Sequence, residues 1–119
     1  MAISNAFLVG FNRAVAGREH HAIELFGEVT NFYEARKKAG QISSYEHVFL
    51  RPHGGDLNGY TIVHGDPQKL DELLRSDDWI NIETKAVLCL EGFGVIRATT
   101  GMDNIMNIMR IYGGNIPKH

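Results

Sequence analysis

Residues 6–13 read Ala-Phe-Leu-Val-Gly-Phe-Asn-Arg and are apolar on both sides of any strand they form. Phe7, Val9 and Phe11 fall on one face, Ala6 and Leu8 on the other, because successive side chains of a strand alternate. The stretch 87–98, expected as the last strand, repeats the feature, with Phe93 and Val95 set against Leu90 and Ile96. An antiparallel sheet with one wet face would instead alternate apolar with polar. A sheet built on these two strands therefore needs cover on both faces.

The helices that could supply cover are legible. From Arg18 to Ala39 the apolar positions Ala22, Leu25, Phe26, Val29, Phe32 and Tyr33 recur at three- and four-residue steps, one face of a helix. Glu34 and Lys38 form a favourable i,i+4 pair on the opposite face. Gly17 is placed to open this helix and Gly40 to close it. Strands are expected at Ile42–Arg51 and Leu57–His64, joined by a turn through Pro52-His53-Gly54-Gly55-Asp56. Asp66-Pro67 is a helix start, with an N-cap followed by proline at the first helical position. Ser76-Asp77-Asp78 is a second start, so a break is expected near residue 76 and helix from there to about Ala86.

The order strand, helix, strand, strand, helix, strand is the split β-α-β, or ferredoxin-like, arrangement. Right-handed crossovers put both helices on one face of a four-stranded antiparallel sheet. The other face is left bare, and a second copy of the sheet is the simplest cover. The expected fold is thus α+β, a homodimer or higher even oligomer of ferredoxin-like subunits. With 119 residues the chain reads as one domain. Residues 1–98 carry the β-α-β-β-α-β unit and 99–119 a helical extension of the same domain. A helix from about Met102 to Tyr112 is apolar almost all round, and an oligomer contact is expected there.

Charge and composition exclude several classes of partner. Twelve basic residues against fourteen acidic give a net charge of −2, which offers no electrostatic footprint for nucleic acid or a membrane surface. No apolar run approaches the length of a membrane span. Cys89 is the only cysteine, so no internal disulfide forms; with no signal peptide legible, a cytoplasmic location is expected.

The element order, Asn12-Arg13 at the end of the first strand, and the run Leu74-x-Ser76-Asp77-x-Trp79 resemble the dimeric α+β-barrel superfamily. That group includes antibiotic-biosynthesis and haem-degrading monooxygenases. The resemblance covers about residues 5–98. It is closer still to uncharacterised members with a Pro-His-Gly-Gly-Asp-Leu turn, here Pro52 to Leu57, and a Gly-Asp-Pro helix start, here Gly65 to Pro67. For members that open haem, the resemblance implies an Asn on the first strand, a Trp ending the third and a His on the second helix. Asn12 matches the first, but His64 stands at the second and Glu83 at the third. Haem opening is not expected, and no cofactor is.

Three functions follow as expectations. The first is a binding module for a small, largely apolar molecule held between sheet and helices, with Trp79, Glu83 and His47 as ligand-binding candidates. The second is a cofactor-independent enzyme of monooxygenase or isomerase type. His64 would be its acid or base, because an imidazole titrates near neutral pH, with Asn12 or Tyr60 orienting the substrate. The third is an interaction scaffold without a pocket. Trp79 also has a purely structural reading, pinning its helix to the core. A turn centred near Gly54-Gly55 would set His47 opposite His64, close enough to share a metal, but no third ligand stands at a telling spacing and no metal is expected. Residues 53–56 join two strands and open no helix, so they are a turn and not a phosphate loop. Cys89 is expected buried and inert within the last strand.

Overall fold

The computed structural model describes residues 4–117. Its elements are β1 (Ala6–Phe11), α1 (Glu19–Lys38), β2 (Ser44–Phe49), β3 (Gly59–His64), α2 (Pro67–Arg75), α3 (Asp77–Cys89), β4 (Gly94–Ala98) and α4 (Met102–Gly114). The four strands form one antiparallel sheet in the order β2-β3-β1-β4. This is the expected α+β, ferredoxin-like order, with the second helix divided in two and a helix added at the end.

The division is made by caps. The Asp66 carboxylate accepts the Lys69 N–H at 3.1 Å, and Pro67 opens α2. The Ser76 hydroxyl accepts the Trp79 N–H at 3.2 Å and opens α3 one residue after α2 ends. Each such cap is worth about 1 kcal/mol to its helix. Gly40, at φ +77°, lies just past α1 as expected. At the other end Arg18 takes the N-cap position and Gly17, at φ +86°, precedes it.

The last strand departs from expectation. Residues 87–89 are the final turn of α3, and β4 begins only at Gly94. Trp79, Ile82, Ala86 and Cys89 continue one buried helical face, and this packing overrides the β-preference of Val87, which points outward. Cys89 accordingly ends a helix instead of lying in a strand, though it is buried as expected. Gly92 makes the turn into β4 at φ +63°, and a Cβ there would come within 3.2 Å of the Asn12 Cβ.

Directly opposed residues share a face of the sheet. Phe7, Val63 and Tyr45 are in register, as are Val9, Thr61 and His47; these point at the helices. There Phe7 and Val63 join Leu25 and Tyr33 of α1, Leu70 and Leu73 of α2, and Trp79, Ile82 and Ala86 of α3 in the core. The opposite face carries Leu8, Ile62 and Ile96 in one row and Tyr60 and Val48 in the next. No helix among the described residues packs there, and Ile96 is 61% exposed. The bare second face inferred from β1 is therefore present.

The register itself corrects one expectation. Phe49 pairs with Gly59, which sets His47 opposite Thr61 and His64 opposite Ser44. The connection spans residues 50–58, closed by Leu50 N–H to the Asn58 carbonyl at 2.9 Å. Its centre lies at Gly54, not between Gly54 and Gly55. That small offset changes the parity of the pairing and puts the two histidines on opposite faces, so they cannot share a metal. Within the connection His53 bonds the Leu57 carbonyl at 2.7 Å, a turn-holding role.

Asn5 ties the end of β4 to the start of β1, accepting the Thr100 N–H at 2.8 Å and donating to its carbonyl at 3.0 Å. Beyond this clamp α4 buries no residue, and Met102, Ile105, Met106, Met109 and Tyr112 are exposed along it. No helix among the described residues is long and apolar enough to cross a membrane.

Candidate binding cavity

The helices do not fill the whole space over the sheet. Beside the packed Trp79 a cavity of about 370 Å³ remains, walled by β1, β3, α1 and α3. Its lining includes Val9, Phe11, Phe26, Val29, Trp79 and Ile82, all apolar. Ile23, Phe26 and Phe49 are exposed members of the lining and form its open side. Charge reaches the lining only through Arg13 and Glu19, both exposed.

Two uncharged polar side chains also line it, Thr61 and Tyr33. Thr61 is 6% exposed and its hydroxyl lies 2.7 Å from His47 Nδ1. His47 Nε2 lies 3.0 Å from the Thr30 hydroxyl, which donates its own proton to the Phe26 carbonyl at 2.8 Å. The imidazole thus bridges two hydroxyls, Thr61 at Nδ1 and Thr30 at Nε2. Burial holds the His47 pKa below the ordinary value of 6.5.

Tyr33 is 1% exposed, its ring packed against Tyr45, Phe32, His47 and Trp79. Its hydroxyl has no hydrogen-bond partner among the described residues, and burial pushes its pKa up. Neighbouring Tyr45 is satisfied, donating to Glu34, which raises its pKa through that bond.

The residues singled out in the sequence separate into three groups. Trp79 lines the cavity and also pins α3 to the core, edge-on to Phe7 at 5.6 Å between ring centres. Glu83 accepts the Trp79 indole N–H at 2.8 Å and so orients that wall. His47 stands behind Thr61. The remaining three are elsewhere. His64 and Tyr60 lie on the helix-free face of the sheet, with Ser44 Oγ 3.5 Å from His64 Nδ1. Asn12 follows β1 at its far end, where its side-chain carbonyl accepts from the Asn58 amide. His64 pairs with Ala6 and Asn12 lies beyond Phe11, so about 20 Å of strand separates them. They do not converge on one point. Among the described residues no three His, Cys, Asp or Glu side chains stand close enough to hold a metal ion.

Thr61, Tyr33 and Thr30 do not stand out in the sequence. Tyr33 reads as one more member of the apolar stripe of α1, and Thr61 gains meaning only once the hairpin parity places it beside His47.

No family model matches the sequence, and no curated protein matches it either. Solved structures do match in three dimensions. A dimeric protein of unknown function and ferredoxin-like fold from Bacteroides fragilis superposes with a TM-score of 0.56 at 7% identity, over 80% of this chain and 95% of that one. The chain has the ferredoxin-like fold. SnoaB, a cofactor-independent oxygenase from Streptomyces nogalater, gives 0.55 at 15% identity over 82% and 94% of the two chains. A Pseudomonas aeruginosa protein gives 0.55 at 18% over 85% and 98%. These likenesses are of fold.

Proposed function

We propose that this protein is a homodimeric binding module that holds a small, mainly apolar molecule between sheet and helices. The observation that carries the reading is the cavity beside Trp79, whose walls are apolar apart from Thr61, Tyr33 and the exposed Arg13 and Glu19. Concave, largely apolar sites with a few placed polar groups are the usual form of small-molecule sites. The second copy is assigned to the helix-free face around Leu8, Ile62 and Ile96, in keeping with the dimeric Bacteroides fragilis protein of like fold. The extension, residues 99–119, is assigned to a further contact between copies, since α4 presents Met and Ile side chains that its own chain leaves uncovered. A lone, buried, unpaired Cys89 is in keeping with a cytoplasmic protein.

A second reading has one observation in its favour. His47 is a neutral imidazole one hydroxyl away from the cavity, placed to take a proton through Thr61. Cofactor-free turnover of the ligand, the chemistry named for SnoaB, would rest on that pair.

Trp79 is the only tryptophan and lines the cavity, so its fluorescence tests the binding reading directly. Titration with compact apolar molecules is expected to shift its emission saturably, and Phe26→Ala to weaken the response. A response that never saturates, or one that Phe26→Ala leaves intact, would count against the cavity as the site.

A further inference from the structure

We propose that α4 is an exchanged arm: the α4 of each copy lies across the helix-free face of the partner's sheet and is the cover that this face lacks. The inference rests on the homodimer reading and adds which surfaces meet.

α4 needs a partner to persist. It has 13 residues, a length at which a helix alone in water is marginal, yet it buries no residue against its own chain. Met102, Ile105, Met109 and Tyr112 recur at three- and four-residue steps along one face, with Asp103, Asn107 and Arg110 on the other. Its root is held by hydrogen bonds. Asn5 bonds the Thr100 N–H and carbonyl, and Asn104 bonds that carbonyl at 3.0 Å. Held there, α4 does not pack on its own sheet. The chain exposes 8089 Å², where a compact monomer of 13.3 kDa exposes about 6,500 Å². The excess is larger than the roughly 800 Å² that each partner gives up in a standard interface.

The seat matches the arm in length and charge. One row of the bare face runs Ile96, Leu8, Ile62, Glu46, one residue from each strand. Strands spaced about 4.8 Å apart put Leu8, Ile62 and Glu46 about 5, 10 and 14 Å from Ile96. A rise of about 1.5 Å per residue puts Ile105, Met109 and Arg110 about 4.5, 10.5 and 12 Å from Met102. Laid across the row with Met102 on Ile96, the helix sets apolar on apolar at three strands and brings Arg110 to Glu46 at the fourth. Glu46 is exposed, and the strands place no Lys or Arg on its face. Arg110 bonds only Asn107 of its own helix, at 2.7 Å, among the described residues. Two sheets packed directly on each other would leave Glu46 without such a cation. The occupant is a second copy because the chain carries both halves of the contact, and exchange between two copies closes it. With one basic and one acidic side chain, α4 has no basic face for an anionic membrane.

Sedimentation of the full chain tests the arm. Met109 is 59% exposed, so Met109→Glu should leave the free chain folded and raise the dimer dissociation constant about a hundredfold. Arg110→Glu should raise it about tenfold, and Glu46→Arg added to Arg110→Glu should restore it. When chains carrying Ile62→Cys are mixed with chains carrying Met109→Cys, oxidation should link one kind to the other. A dimer as tight in Met109→Glu as in the parent overturns the arm and leaves the sheet-face dimer and the cavity standing. So does a link that forms only inside single chains carrying both Ile62→Cys and Met109→Cys, which would put α4 on its own sheet. A parent chain that is monomeric at micromolar concentration overturns the arm and the dimer together.

Discussion

The space between sheet and helices has two halves built from the same kinds of residue, one filled and the other hollow. In the filled half Phe7, Val63, Leu73 and Trp79 are all at most 1% exposed, and Trp79 has its indole N–H satisfied by Glu83. In the hollow half Phe26, Phe49 and Ile23 stand open around the cavity, and Tyr33 keeps a hydroxyl without a hydrogen-bond partner among the described residues. The two halves meet at Trp79 and Tyr33. The difference teaches that residues of one kind can close into a core on one side and only wall a hollow on the other.

The sharpest way to break this comparison is to truncate one aromatic on each side. Trp79→Ala is expected to lose about 3–5 kcal/mol of unfolding free energy in urea, and Trp79→Phe less. Phe26→Ala, at the open side, should lose far less than Trp79→Ala while weakening ligand binding. Comparable losses at the two positions would mean that the hollow half is core after all. Next in size is the outer face of the sheet. Ile62→Glu places a charge in the row of Leu8 and Ile96, and sedimentation should show a dimer of the parent chain become a monomer.

Smaller effects sharpen the comparison with the opposite sign. Ala22→Leu fills the hollow half, and should raise stability by about 0.5–2 kcal/mol while abolishing binding. Tyr33→Phe, which removes a hydroxyl from the cavity lining, should move the melting temperature little while weakening binding.

The smallest effect is on pH dependence. Burial lowers the His47 pKa below 6.5 in the folded state, so below that value the unfolded chain binds the extra proton. Stability should be complete above about pH 7, fall as the pH drops through 6.5, and level off once the folded His47 is itself protonated. Denaturant midpoints measured from pH 7.5 to 4.5 in the parent and in His47→Gln should differ by this component, with the decline weaker in the variant.

The fold was legible in the sequence because the signals for it are local. The α1 stripe, Asp66-Pro67 and Ser76 each act within a turn or two of chain, and both-sided β1 announced the bare face of the sheet. The site was not, because it depends on parity across a nine-residue connection. A turn centred at Gly54 sets His47 opposite Thr61 and His64 opposite Ser44, which parts the two histidines to opposite faces. That pairing carries His64 and Tyr60 out of the site and brings Thr61 in. Val87 to Cys89 misled for a similar reason, since their β-preference is outweighed by a buried face that only the packed helix reveals.

The central claim is a ligand held in a dimer, and native mass spectrometry of the gently purified protein, beside a denaturing spectrum, tests it most directly. The account predicts a dimer carrying extra mass, or taking up a compact apolar molecule when one is offered, with that mass lost on denaturation. A bare monomer at micromolar concentration that takes up nothing would contradict it.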